Sequence, residues 1–288
     1  MAPNPPGEYA LRWHRTRRPY RRWDKAWADD LRRRHYPRIL AEGDSWFSYP
    51  REHIAFGKRS NLMQHLANRH RRLILHFSES GHELSTMLKP KNRKLLLDSA
   101  KEFHFDLFLW SAGGNDFVGK GTFAKYLNDT GGSSAISWIN QTVAHELFDG
   151  LRDSFAGFVA ESLCVAKNPK MKMLTHTYDR VIPRNKGTKL LGKEFGPWLW
   201  PDLNRESKEV PEELWIPVAN WFLNEWAKRL KQVKAGLPAE LKPRFKLIET
   251  RGTLAGIEDW KDEIHPTSEG FKKLAQKFRD AEPDFLAD

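Results

Sequence analysis

Residues Arg38 to Pro50 read RILAEGDSWFSYP, and this stretch decides the fold. Ile39, Leu40 and Ala41 form a short apolar run, the pattern of a buried strand. Gly43 and Asp44 break it, and Ser45 follows at once. Glycine permits the sharp backbone turn needed there. A serine just past a strand end stands where an open α/β sheet has its crevice, so it is a candidate nucleophile. Gly-Asp-Ser by itself also describes an ordinary turn with a helix cap. Its meaning therefore depends on partners further along the chain.

Outward from this stretch, apolar runs of strand length recur. Leu73 to Phe77 (LILHF) is closed by Ser80-Gly81, and Asp106 to Ser111 (DLFLWS) by Gly113-Gly114. Met171 to Thr177 and Phe245 to Glu249 are the fourth and fifth expected strands. Between them, helices are expected over Asn61–Asn68, Lys91–Lys101, Ala135–Val165 and Trp215–Leu230. Phe271, Leu274 and Phe278 mark a last helix, capped by Thr267 or Ser268. Strands alternating with helices predict βαβ units and a mainly parallel sheet covered on both faces.

With 288 residues, 40% of them hydrophobic and 12% aromatic, the chain can bury a sizeable core. Cys164 is the only cysteine, which excludes an intrachain disulfide; its apolar helical setting reads as inert packing. No apolar run has the length of a transmembrane span, and the N-terminus has no apolar segment of signal-peptide length. The expectation is a cytoplasmic protein, or one exported without a cleaved signal peptide.

The net charge of +11 is uneven. Ten Arg and one Lys against three Asp between Leu11 and Arg38 give +8, which leaves +3 elsewhere. Trp13, Tyr20, Trp23, Trp27 and Tyr36 are interleaved with these charges, and Trp23 to His35 has the length of a helix. Residues 1–36 thus read as a basic, aromatic-rich arm that can contact an anionic surface or polymer. The plainer reading is a solvated helix whose aromatics pack on the domain. Residues 37–288 read as one catalytic domain. Arg180 to Pro211 breaks its alternation: rich in Gly, Pro and charge, it still holds Trp198, Leu199 and Trp200. A loop inserted at about 180–211 is either a lid or binding loop, or a surface excursion tucked down by its tryptophans.

In a parallel sheet the loops after successive strands collect at one edge. Ser45, Gly81 and Asn115 of Gly113-Gly114-Asn115-Asp116 can therefore meet there. Near the C-terminus stands Asp262-Glu263-Ile264-His265-Pro266. Acyl transfer needs what these pieces offer. Ser45 can attack an ester carbonyl, and His265 can take its proton as general base. Asp262, three residues earlier, can orient the imidazole, although Glu263 and Asp259 are rival acids. The N–H groups of Ser45 and Gly81 and the amide of Asn115 can hold the oxyanion. Each piece alone has a plain reading as a turn or a helix entry. Their order, behind successive strands, is what carries the argument.

Taken together, GDS, Gly, GGNDF and DEIHPT resemble the motifs of the SGNH hydrolases, the GDSL-like esterase and lipase family, from about Arg38 to Phe278. The resemblance implies a flavodoxin-like three-layer α/β/α sandwich with a mainly parallel five-stranded sheet. It implies no cofactor and no metal. Carried over, Ser45 is the nucleophile, Gly81 and Asn115 complete the oxyanion hole, and Asp262 with His265 finish the triad. Trp46 stands where the family name has leucine, a change that reshapes the pocket rather than the chemistry. Trp46, His176, Trp198 and Trp200 are the substrate-pocket candidates.

Two other readings compete. Asp44, Asn115, His82, His176, Asp179 and His265 can be imagined as a two-metal phosphoesterase site. An early Asp-x-His pair is missing on the first strand, which weighs against it. A non-catalytic carbohydrate or nucleic-acid binder on the same fold would not require the Ser, Asn, Asp and His set. The expected partner is a small-molecule or polysaccharide ester. Twelve tryptophans suit sugar rings, and the same apolar surface suits a fatty acyl chain.

Overall fold

The computed structural model describes residues 10–12, 36–49, 59–67, 72–118, 121–190, 193–205 and 208–286. The strands are β1 (Ala10–Arg12), β2 (Arg38–Gly43), β3 (Leu73–His76), β4 (Leu107–Ser111), β5 (Lys172–His176) and β6 (Phe245–Ile248). They form one sheet, all neighbours parallel, in the order β1-β3-β2-β4-β5-β6. β2 to β6 are the five expected strands. Their order among themselves is second, first, third, fourth, fifth, which is the flavodoxin-like arrangement. β1 is an addition from the arm: Ala10, Leu11 and Arg12 pair with Ile74, Leu75 and His76 at the sheet edge. Three residues beside a dense run of charge carry no strand pattern, so the sequence does not signal it. Of the rest of the arm only Tyr36 is described, and the helix expected at Trp23–His35 lies outside the described residues.

The helices that matter are α1 (Ser45–Ser48), α2 (Leu62–Leu66), α3 (Pro90–Glu102), α4 (Gln141–Val165), α5 (Glu212–Gly236) and α6 (Ser268–Ala281). α2 packs on α6, while α4 packs on both α3 and α5, and the sheet lies between helices as a three-layer α/β/α sandwich. Pro90 begins α3, where its missing N–H has no helical partner to lose. The side chain of Thr267 caps α6 by accepting from the Gly270 N–H. The helix expected over Ala135–Val165 is shorter. Ala135–Trp138 forms a 3₁₀ turn, Ile139 bridges to Leu127, and the Asn140 side chain then caps α4. Cys164 lies on the exposed side of α4, not in packing as expected. Among the described residues no helix is long and apolar enough to cross a membrane.

Burial holds these layers together. Trp110 on β4 stacks on Phe155 of α4 at 5.5 Å, and Phe108 and Phe158 close the same cluster, all essentially without solvent contact. Each such side chain contributes about 1.5–3 kcal/mol by leaving water. The excursion at 180–211 is not structureless. It holds two small hairpins, Thr188–Leu190 with Lys193–Phe195 and Asn204–Arg205 with Lys208–Glu209, and a helical turn at Trp200–Leu203. Leu199 and Leu203 bury themselves in the core.

The topology also places the site. β2 lies between β3 and β4, so the chain leaves β2 toward one side first and returns to the other. The loops after β2 and β4 diverge at this switch point and leave a crevice. Gly43, the last residue of β2, lies opposite Ser111 on β4. A Cβ at Gly43 would come within 2.9 Å of the Ser111 Cβ and 3.0 Å of Phe47, so only glycine lets the two strands end this close.

Candidate active site

Ser45 is the first residue of α1. Asp44 caps this short helix, its Oδ1 accepting from the Trp46 N–H at 2.9 Å. The turn is tied down further by the Asp44 N–H donating to the Ser111 carbonyl at 3.0 Å. The Ser45 Oγ emerges from this fixed turn and meets the Nε2 of His265 at 2.8 Å. His265 Nδ1 in turn lies 3.0 Å from both carboxylate oxygens of Asp262. An ionised carboxylate only accepts, so Nδ1 carries the proton and Nε2 turns its lone pair to Ser45. The Ile264 and His265 N–H groups donate to Asp262 Oδ1 at 3.0 and 2.8 Å, which fixes the carboxylate. Burial pushes the Asp262 carboxyl up, but His265 beside it and these donors outweigh burial and hold it below the usual carboxylate range. The rival acids are engaged elsewhere: Asp259 pairs with Lys273 at 2.7 Å, and Glu263 faces the excursion.

Ser45 and Asn115 line one small cleft, with Asp44, Gly114 and six apolar or aromatic side chains. Asn115 donates one amide hydrogen to the His82 carbonyl at 3.0 Å, which leaves the other for a ligand. Gly113 sits at φ +104°, and a Cβ there would strike the Trp226 ring at 2.3 Å. Asp116 accepts from the Leu84 and Ser85 N–H groups and holds the loop after β4 against the turn that follows Gly81. Burial raises the Asp116 carboxyl to about 6 despite those donors. Gly81 adopts φ +82° in a turn fixed by Ser80 Oγ to the Ser48 carbonyl and by His82 to Asn115. Gly81 itself does not line the cleft. Among the described residues, the N–H groups of Ser45 and Gly81 have no acceptor.

Beneath Ser45 lies a polar network that sequence reasoning did not find. Asp44 Oδ2 receives a hydrogen bond from the Tyr178 hydroxyl, and Oδ1 one from Ser111 Oγ at 2.8 Å. Ser111 Oγ meets His176 Nε2 at 2.9 Å, and the Tyr178 N–H donates to His176 Nδ1 at 3.2 Å. Burial dominates every member. It lowers His176 to about 3 and raises Asp44, partly offset by the donors around it, and Tyr178. Tyr178 takes φ 57°, rare for a side chain of this size, and its ring reaches the cleft. His176, a pocket candidate by sequence, does not reach the cleft. It is 1% exposed, stacked under Trp46 at 5.3 Å.

The excursion is pinned to the Asp262–His265 turn by Glu263. This buried carboxylate accepts from the N–H groups of Arg184 (3.2 Å), Leu199 (2.9 Å), Trp200 (2.7 Å) and Trp198. The Arg184 guanidinium donates to the carbonyls of Trp260 and Asp262 at 2.9 and 3.1 Å. Trp198 is thereby held edge-on to the His265 ring, 5.0 Å between centroids, while Tyr49 packs on the imidazole at 4.2 Å. Trp46 lines the cleft, and Trp200 does not.

The residues imagined as a two-metal site are engaged with other partners. Asp44 and His176 are spent in the buried network, and Asp179 receives the N–H groups of Arg180, Gly252 and Leu254. His82 lies beside Glu79 at 3.1 Å. Among the described residues, no group of three or more His, Cys, Asp or Glu side chains is placed to hold a metal ion.

No protein-family model matches the sequence, and no curated protein does. Solved structures do match. The lipase Lip_vut3 from a goat rumen metagenome superimposes with a TM-score of 0.54 at 15% identity, over 85% of this chain and 97% of that one. The extracellular lipase of Streptomyces rimosus gives 0.51 at 14%, over 85% and 99%. At this identity the likeness speaks for the fold alone, the three-layer α/β/α sandwich around a parallel sheet.

Proposed function

We propose that this protein is a serine hydrolase that cleaves carboxylic esters. The observation that carries the reading is the line from Asp262 through His265 to Ser45, closed at 3.0 and 2.8 Å beside the cleft at the sheet's switch point. Ser45 gives its proton to His265 Nε2 as its Oγ attacks the acyl carbon. The carbonyl oxygen becomes negative and takes hydrogen bonds from the Ser45 and Gly81 N–H groups and the free amide hydrogen of Asn115. Asp262 stabilises the imidazolium without taking its proton. His265 then protonates the leaving alkoxide, and the acyl group stays on Ser45. A water molecule, deprotonated by His265, attacks the acyl-enzyme; His265 returns that proton to Ser45 Oγ as its bond to the acyl carbon breaks, and the acid departs. No metal or cofactor takes part in this scheme.

The reading is tested by a fluorophosphonate, which should label Ser45 alone. Ser45→Ala should fold normally and lose at least about 10⁴-fold in kcat. Labelling at another serine, or an active Ser45→Ala, would overturn it.

A further inference from the structure

We infer that the reaction is confined to esters of short acyl groups, because the side of Ser45 that must receive the acyl chain is a small, rigid, apolar cleft. The inference rests on the proposed hydrolysis and adds its acyl specificity. Three directions leave an acyl carbon attacked by Ser45. The oxyanion points to Asn115 and the backbone donors. The leaving oxygen must lie against His265 Nε2, which protonates it. His265 is outside the cleft that Ser45 and Asn115 share, so that cleft takes the remaining substituent, the acyl chain.

The cleft holds only about 30 Å³, and its walls are mainly the side chains of Trp46, Val118, Tyr178, Val181, Leu223 and Ile264. By the same measure one water needs about 10–15 Å³, so the cleft suits a group of only a few heavy atoms. Three of these walls cannot swing aside. Trp46 is locked by its indole N–H donating to the Ile264 carbonyl at 3.1 Å and by rings on several sides: His176, Tyr178, Trp260 and Phe271. Tyr178 is fixed by its hydrogen bond to Asp44. Leu223 is buried on α5. The alcohol side, by contrast, meets the half-buried Trp198, which stands beside His265.

A series of p-nitrophenyl esters from acetate to octanoate holds the leaving group constant. A site that buried each added methylene would gain about fourfold in kcat/KM per carbon. Here kcat/KM should instead fall at least about tenfold from acetate to octanoate. Leu223→Ala opens a buried wall and should raise the octanoate-to-acetate ratio at least about tenfold. The ratio is taken within one preparation, so it does not depend on the fraction that folds. Val118→Ala, at a less buried wall, should shift it the same way by a smaller factor. A flat or rising wild-type series, or a ratio unmoved in both variants, would overturn the inference while leaving ester hydrolysis at Ser45 standing. No turnover of any ester together with no labelling of Ser45 would instead overturn the reading beneath it.

Discussion

Glu263 sits inside the Asp262–His265 motif, yet its carboxylate serves the excursion at 180–211. Four backbone N–H groups converge on it, and Leu199, one of the four, is only 1% exposed. In Glu263→Ala the buried Leu199 N–H loses its acceptor, which costs about 1–3 kcal/mol. The other three belong to half-buried residues that water can reach, so each loses only the net worth of a hydrogen bond, about 0.5–1.5 kcal/mol. Relief of the buried charge, whose protonation is favoured by burial, offsets part of the sum. The expected loss is about 3–5 kcal/mol, borne first by the excursion because all four donors belong to it. Limited trypsin digestion at the exposed Lys186 should accelerate by two orders of magnitude or more, while the global unfolding midpoint moves less. Amide exchange at Leu199 should rise in parallel. Trp198 would leave its place beside His265, so KM for esters with bulky alcohols should rise more than for small ones. Unchanged digestion and exchange in Glu263→Ala would refute the view that this carboxylate holds the excursion.

Further outcomes follow from the same geometry. Asn115→Ala should lower kcat about 10²–10³-fold with little change in KM, since its donor matters most in the transition state; steady-state kinetics on a short ester decide this. The Asp116 carboxyl is raised to about 6, so it binds a proton in the folded state that the unfolded chain releases near 3.8. Its contribution is therefore fully present below pH 4 and lost as pH rises through 6; the stability gap between wild type and Asp116→Asn in urea unfolding should narrow by about 2 kcal/mol from pH 4.5 to 7.5. Tyr178→Phe leaves a buried Asp44 oxygen without its donor and should cost about 1–3 kcal/mol of stability by the same unfolding assay.

The sheet was legible because each of β2 to β6 is an apolar run of the right length bounded by turn residues, as in Leu107–Ser111 before Gly113-Gly114. The spacing of Asp262 and His265 was legible because a three-residue step folds back on itself in a tight turn. What could not be read were contacts that only the fold creates. Tyr178 meets Asp44 across 134 positions, and nothing in THTYD announces it. His176 was placed correctly at the end of a strand, but its side chain turns into the core beneath Trp46 rather than toward the cleft. Glu263 looked like a rival acid because composition shows a carboxylate and not the direction it faces.

The crevice thus holds two Ser/His/Asp sets that share residue types, and the direction of their hydrogen bonds separates them. In the buried set, the Tyr178 N–H occupies His176 Nδ1, so the proton of the neutral ring sits on Nε2 and points at Ser111. Ser111 passes its own hydrogen to Asp44. No lone pair of His176 is left to take the serine proton, and a ring held near pKa 3 would resist taking one. Its serine does not reach the cleft either, since Ser111 is fully buried. In the other set the order is reversed. Asp262 claims the proton on His265 Nδ1, and the free lone pair of Nε2 faces a serine that lines the cleft. The buried set fixes Asp44, Asp44 caps the turn, and the turn aims Ser45, so the buried set serves as the platform on which Ser45 is held toward His265.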